Sequence, residues 1–289
     1  MNEQKLPVRT VTVLGAGTMG NGIAQAAAMA GFRTWMYDLE DSFLERALSQ
    51  IDKNLKKGME RGKVTEEAHQ AALENLVTTT DFEKAAGECD FLIEVVPEKI
   101  ELKLDIFGRC EQLCKEGTVL ATNTSSLSIT EIAAAVKNPQ RVIGMHFFNP
   151  VHIMKLVEIV RGLETDQATF ELTEAVAHKM GKETVDIKES PGFVTSRVNA
   201  MIGNEAFYML QEGIASARDI DKALKLGLNH PMGPFEMIDL VGLDTRLSVL
   251  EFLHQRLGEK YRPCPLLVQY VKAGRVGRKV GKGVYNYES

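Results

Sequence analysis

Short apolar runs alternate with amphipathic stretches over residues 10–188. Val11, Val13 and Leu14 form a compact apolar run that stops at Gly15, the pattern of a buried strand. Residues 18–30 are small and apolar and close at Gly31, which predicts a helix with a glycine stop. A second strand is expected over 33–37. Residues 41–61 are charged, with Phe43, Leu44, Ala47, Leu48, Ile51 and Leu55 at helical spacing along one side. Further strands are expected over 91–96, 119–121, 141–148 and 154–160, and helices over 102–114 and 129–136. Strands separated by helices imply parallel pairing, with helices on both faces of the sheet.

The pattern changes near Ser190-Pro191-Gly192. Beyond it, helices are expected over 193–211, 217–226, 235–239, 243–257 and 266–273, with almost no strand signal. Joints rich in Gly and Pro lie at 227–234 and 262–265. The expected fold is α/β: a mostly parallel sheet with helices on both faces over residues 1–189, then an all-α C-terminal domain over 190–289.

Of the 289 residues, 44% are hydrophobic and 25% charged, so a disordered or fibrous chain is excluded. No run of 18 apolar residues occurs, so no membrane span is expected. Residues 1–9 are polar and lack an apolar signal core, which fits a cytoplasmic protein. The net charge of −5 gives no sign of a nucleic-acid binder. Cys89, Cys110, Cys114 and Cys264 form no C-x-x-C pair and no cluster with histidine. They read as reduced, mostly buried thiols, and no metal is expected.

Gly15-Ala16-Gly17-Thr18-Met19-Gly20 is a G-x-G-x-x-G turn between a predicted strand and a predicted helix. Gly15 permits the tight turn, Gly17 leaves room for a pyrophosphate, and Gly20 lets the helix pack close to the strand. The helix N-terminus offers N–H groups and partial positive charge to the phosphates. Asp38 lies 18 residues after Gly20 at the end of the second predicted strand. A carboxylate there accepts hydrogen bonds from ribose hydroxyls and repels a 2′-phosphate. With Leu39, Glu40 and Asp41 next, rather than arginine, NAD is expected over NADP.

Three stretches are more specific: Ala121-Thr122-Asn123-Thr124-Ser125-Ser126-Leu127, Gly144-Met145-His146-Phe147-Phe148-Asn149-Pro150-Val151 and Lys155-Leu156-Val157-Glu158. Together with the glycine turn they resemble the 3-hydroxyacyl-CoA dehydrogenase family. Ser190-Pro191-Gly192-Phe193, Asn229-His230-Pro231-Met232-Gly233-Pro234 and Gly281-Lys282-Gly283-Val284-Tyr285 extend the resemblance over nearly the whole chain. The single-module length is most similar to the bacterial 3-hydroxybutyryl-CoA branch. The resemblance implies short-chain (S)-3-hydroxyacyl-CoA oxidation and the reverse reduction of acetoacetyl-CoA with NAD. It also implies a Rossmann-type dinucleotide-binding domain over residues 1–189, a helical C-terminal domain over 190–289 that helps form the substrate cleft and a dimer contact, a homodimer, and a place in fatty-acid metabolism.

Moving hydride to or from an alcohol carbon needs a group that takes or returns the hydroxyl proton, and His146 suits that task near neutral pH. If residues 141–148 and 154–160 pair antiparallel around His152, His146 faces Glu158, which orients the imidazole and balances its charge. The resemblance gives Glu158 the same role and makes Ser125 a hydrogen-bond partner of the substrate oxygen near the nicotinamide. It adds Thr18, Met19, Glu98, Lys103, Asn123, Asn149 and Lys279 as cofactor contacts, and aligns Asn54 and Arg61 with CoA-contacting positions. Lys56, Lys57, Arg61 and Lys63 give a basic approach for CoA phosphates.

One departure stands out. Where the family often has Pro-Gly-Phe-x-x-Asn-Arg, this chain has Ser196, expected to replace the asparagine as donor to the substrate carbonyl. Two other readings stay open: a dehydrogenase of free 3-hydroxy acids, with Arg197 as the carboxylate clamp, and a non-enzymatic NAD-binding scaffold.

Overall fold

The computed structural model describes residues 6–287, so residues 1–5 of the polar start lie outside the described residues. Compact units divide between Glu189 and Ser190. In the first unit the chain runs β1 (Thr10–Leu14), α1 (Thr18–Met29), β2 (Arg33–Tyr37), α2 (Asp41–Glu60), α3 (Glu66–Asn75), β3 (Leu76–Thr79), α4 (Phe82–Gly87) and β4 (Phe91–Glu94). It continues through α5 (Ile100–Leu113), β5 (Val119–Thr122), α6 (Ile129–Ala133), β6 (Val142–Phe147), β7 (Leu156–Arg161), α7 (Gln167–Lys179) and β8 (Glu183–Lys188).

These strands form one eight-stranded sheet in the order β3-β2-β1-β4-β5-β6-β7-β8. Every pairing is parallel except β6 with β7. Val11, Val13, Leu14, Phe91, Leu92 and Ile93 are all fully buried. Helices cover both faces of such strands, which is why they read as continuous apolar runs rather than alternating ones.

β4 is shorter than the expected 91–96. Val95 still gives its N–H to the Leu14 carbonyl (2.8 Å), but the N–H of Val96 is taken by the Glu94 carboxylate (2.7 Å). On α2, Leu44, Ala47, Ile51 and Leu55 pack inward, but Phe43 is left partly exposed. β3, with every residue only partly buried, and β8, largely exposed, are the sheet's edges and carry little apolar pattern.

The second unit is helical: α8 (Thr195–Gln211), α9 (Ala217–Gly227), α10 (Pro234–Val241), α11 (Leu243–Leu257) and α12 (Pro265–Lys272). Its core gathers on α8, where Phe207 meets the rings of Phe235 (5.2 Å) and Tyr270 (5.6 Å) edge-on. Buried Asp239 accepts from the N–H groups of Val284 and Tyr285 and the hydroxyl of Tyr287, fastening the chain's last turn to α10. Asp221 does the same for the start of α10 through Phe235 and Glu236, and for Tyr285 through its hydroxyl. The Gly-Lys-Gly-Val-Tyr ending therefore works as a structural clasp.

Asp90 closes the entry to β4. Burial pushes its carboxyl up, but Lys115 at 2.8 Å and the N–H groups of Arg9 and Thr10, each at 3.0 Å, hold it below its ordinary range overall. A lowered carboxyl stabilises the fold above its unfolded pKa, and that contribution is lost as pH falls through the folded value. Asp90→Asn should therefore cost about 1–2 kcal/mol in urea melts at pH 7. The gap to the parent should close as the pH drops below about 4; a pH-independent gap would show that the charge is not what matters.

Candidate active site

The glycine turn straddles the point where strand order reverses, with β2 on one side of β1 and β4 on the other. The N–H of Gly15 donates to the Tyr37 carbonyl at the end of β2 (2.8 Å). Gly15 has φ +112°, and a Cβ there would lie 2.7 Å from the Val95 carbonyl oxygen. A Cβ on Gly20 would fall 1.8 Å from the oxygen of Gly15, so the first turn of α1 closes over the loop only with glycine. Gly17 faces open space, as a cradle for a ligand requires, and α1 begins there without a side-chain cap or an acidic residue in its first turn.

A cavity of about 810 Å³ opens beside this turn. Its walls include Gly15, Gly17, Thr18, Met19, Asp38, Glu98, Asn123, Ser125 and His146, so most of the expected cofactor and catalytic positions converge on one space. Asp38 accepts the N–H of Ala16 (2.7 Å) and of Leu39 (2.7 Å), which fixes an anionic group where a 2′-phosphate would lie. Glu40, not Asp38, precedes α2 as its N-cap. The far wall was not legible in the sequence. Tyr37 meets Phe82 edge-on at 5.3 Å, and the Arg109 guanidinium lies 3.9 Å from the Phe82 ring centre. These residues come from β2, α4 and α5, and only Tyr37, next to Asp38, carried a local signal. Burial raises the Tyr37 hydroxyl; Arg109 opposes that shift and Asp38 adds to it. Phe43 completes the apolar lining.

Opposite the turn, the antiparallel register pairs His146 with Glu158. His146 Nδ1 lies 2.8 Å from Glu158 Oε2, with the imidazole side chain 10% exposed and the carboxylate 0%. A carboxylate only accepts, so Nδ1 donates to it, which fixes the imidazole tautomer. Phe148 tilts against the imidazole at 4.7 Å. The loop between the two strands contains a cis Asn149–Pro150 bond, and buried Lys182 holds it by donating to the carbonyls of Val151 and Met154. Burial lowers the Lys182 ammonium.

Ser125 lies on the loop after β5, held by Glu98. That carboxylate accepts from the hydroxyl of Thr124 (2.6 Å), the N–H of Ser125 (2.9 Å) and the hydroxyls of Ser125 and Ser126 (3.3 Å each). Ser128, not Ser125, caps α6, through the N–H of Glu131. Asn123 accepts the N–H of Phe147 (2.8 Å), tying this loop to the strand that carries His146.

Several expected contacts fall elsewhere. Lys103, expected at the cofactor, is 1% exposed and absent from the cavity wall. Its ammonium donates to both oxygens of Glu94 (2.7 and 2.8 Å) and lies 3.5 Å from Glu98. A buried ammonium must be paired, and the fully buried Glu94 gives it the nearest charge. Lys279, in the second unit, pairs with Asp244 (2.6 Å). Asn149 is exposed beside the cis bond and does not line the cavity. Asn54 donates to Gln25 (3.2 Å) and accepts from Gln50 (2.8 Å), Arg61 is exposed just past α2, and Lys56 pairs with Asp52 (2.6 Å). Ser196 lies partly buried in the first turn of α8, and Arg197 beside it donates to Tyr261 and Ser190. Among the described residues no group of three or more His, Cys, Asp or Glu is arranged to hold a metal ion.

Residues 10–190 match the family described as 3-hydroxyacyl-CoA dehydrogenase, NAD binding domain, and residues 192–287 its C-terminal domain. The chain is 48% identical to a probable 3-hydroxybutyryl-CoA dehydrogenase of Bacillus subtilis, covering 98% of this chain and 99% of that one. It is 45% identical to the 3-hydroxybutyryl-CoA dehydrogenase of Bradyrhizobium diazoefficiens, over 97% and 96% of the two chains. Its fold is similar to the crystal structure of the (S)-3-hydroxybutyryl-CoA dehydrogenase of Ralstonia eutropha, with TM-score 0.95, 42% identity and coverage of 98% and 100%.

Removing one member of a buried pair leaves the other charge uncompensated. Lys103→Met should therefore lower unfolding stability by about 3–5 kcal/mol in denaturant melts. NAD affinity of the fraction still folded should change little. Unchanged stability with a large loss of NAD affinity would return Lys103 to the cofactor.

Proposed function

The chain belongs to the 3-hydroxyacyl-CoA dehydrogenase family, an NAD-dependent dehydrogenase of that kind, and we propose that it interconverts (S)-3-hydroxybutyryl-CoA and acetoacetyl-CoA. The relatives' names support the substrate, and the His146–Glu158 pair at the wall of the cavity carries the chemical reading. The cavity fits the cofactor: open space at Gly17, an uncapped helix start, and an anionic Asp38.

When bound, NAD supplies the hydride acceptor for oxidation and, once reduced, the donor for the reverse reaction. His146 Nε2 takes the proton of the substrate's 3-hydroxyl in oxidation. In reduction the imidazolium donates that proton to the ketone oxygen. Glu158 holds the tautomer and balances the imidazolium charge, inside a wall where water does not screen it. Ser125 serves both directions, since its hydroxyl donates to a ketone and accepts from an alcohol. Glu98 now engages that hydroxyl at 3.3 Å, a length weak enough for a substrate oxygen to replace.

An acyl-CoA rather than a free acid is the substrate of this reading. A free carboxylate wants a cationic clamp, and the candidate for it, Arg197, already gives its Nε to Tyr261 and its Nη1 to Ser190. We further propose a cytoplasmic homodimer acting in fatty-acid metabolism. Among the described residues no helix is long and apolar enough to cross a membrane. Val198, Leu226, Leu228 and Leu240 of the second unit are each more than half exposed, an apolar surface suited to a second copy.

NADH oxidation should proceed with acetoacetyl-CoA and be negligible with acetoacetate; the opposite preference would reject the thioester substrate. Glu158→Gln keeps the side chain's size but removes the counter-charge. It should lower kcat by about 10²–10⁴-fold with little change in KM. Unchanged kcat would remove Glu158 from proton transfer.

A further inference from the structure

Three of the four cysteines meet at one place outside the cofactor cavity. Cys89 follows α4, Cys110 lies in the last turn of α5, and Cys114 ends that helix. The sulfurs of Cys89 and Cys114 are 4.0 Å apart. Cys89 and Cys110 are buried, whereas Cys114 is partly exposed and lines a cavity of about 340 Å³ with Arg141 and Lys137. That cavity shares no residue with the cofactor site. Arg141 is held against the carbonyls of Lys115, Glu116 and Thr118 and pairs with Glu111 at 2.6 Å. Its Nε is buried without a hydrogen-bond partner.

The cluster separates its members chemically. The contacts of Cys114 with Cys110 and Cys89 lower its thiol; burial opposes this, Arg141 assists and Glu111 opposes. Contact with Cys114 and burial hold the thiols of Cys89 and Cys110 well above their ordinary range, and the Cys89 S–H donates to the Ala86 carbonyl at 3.1 Å. One sulfur is therefore a partly exposed thiol of lowered pKa in a cavity also lined by a guanidinium, and a buried thiol lies 4.0 Å from it. Those are the features of a reactive cysteine with a resolving partner.

We infer that Cys114 is a peroxide-reactive site and that Cys89 resolves it to a disulfide. The Cys114 thiolate attacks one oxygen of hydrogen peroxide and the O–O bond breaks. The departing hydroxide takes the proton released from the Cys114 thiol, leaving water and a sulfenic acid on Cys114. The Cys89 sulfur then attacks the Cys114 sulfur and the S–O bond breaks. This second hydroxide leaves as water with the Cys89 proton. Two thiols are oxidised and one peroxide is reduced to two waters. Cys110, on the same helix one turn back, is buried, and burial together with its contact with Cys114 raises its thiol, so it is not assigned the resolving step.

The test uses the full-length reduced protein. Cys114→Ser should slow native-state labelling by a thiol reagent by about tenfold or more, with NADH oxidation by acetoacetyl-CoA retained as the check on folding. Peroxide should remove two titratable thiols from the parent, and peptide mapping should find Cys89 joined to Cys114. Cys89→Ala should stop at a sulfenic acid on Cys114 that dimedone traps. Retention of all four thiols after peroxide, labelling that does not depend on Cys114, or a bond between other cysteines would each overturn the inference.

Discussion

A carboxylate with no exposed surface is 2.8 Å from an imidazole at the wall of a large cavity, and the rest of the first unit serves that contact. Glu158 is tolerable there because Nδ1 of His146 gives it a directed donor. The contact exists only because β6 and β7 reverse direction while every other pairing in the sheet is parallel. A slip of one residue in that pairing would turn Glu158 to the opposite face. The register is held at the loop end of the pair. Lys182 grips the connecting loop, and Asn123 ties the loop after β5 to Phe147, next to His146.

The same economy governs the second buried pair. Glu94 is fully buried at the end of β4, where it meets the N–H of Val96, the hydroxyl of Thr122 and the ammonium of Lys103. Burying two charges is costly unless nearly every lone pair and proton is engaged. Here the reward is geometric. The pair fixes where β4 ends, and Lys103 approaches Glu98, whose carboxylate gathers Thr124, Ser125 and Ser126. Lys103 thus connects to the cavity wall through Glu98.

The sequence made some of this legible. Apolar runs stopping at Gly15, after Tyr37 and at Pro97 marked the buried strands because covered parallel strands leave little room for polar residues. Two strand-like segments joined by a short loop set His146 against Glu158, since antiparallel pairing around a turn has few registers. The resemblance places Lys103 and Lys279 at the cofactor, and nothing local in the sequence marks the carboxylates they pair with in the structure. Glu94 is nine residues from Lys103, and Asp244 is thirty-five from Lys279. The stack of Arg109 on Phe82 joins two helices, so no spacing rule reveals it. The polar edge strand β8 was silent for the opposite reason: exposed backbone pairing demands no apolar pattern.

Parallel strands impose a further consequence, because their ends line up. At the carboxyl ends of β1, β4, β5 and β6 stand Gly15, Val95, Asn123 and His146 or its neighbour Phe147, and they meet around one cavity. The residues that lead into β4, β5 and β6 are brought together on the opposite edge by the same alignment. There Thr118 donates to the Cys89 carbonyl, Arg141 donates to the Thr118 carbonyl, and Cys114 lies between them in the lining of the smaller cavity. Both constellations come from the ends of the same neighbouring strands, so a sheet built to present one set of functional groups necessarily assembles another behind it. Chemistry at the second edge then depends on which side chains occupy those positions. In this chain they are three sulfurs and a guanidinium, and the contacts of Cys114 with Cys110 and Cys89, more than Arg141, lower its thiol.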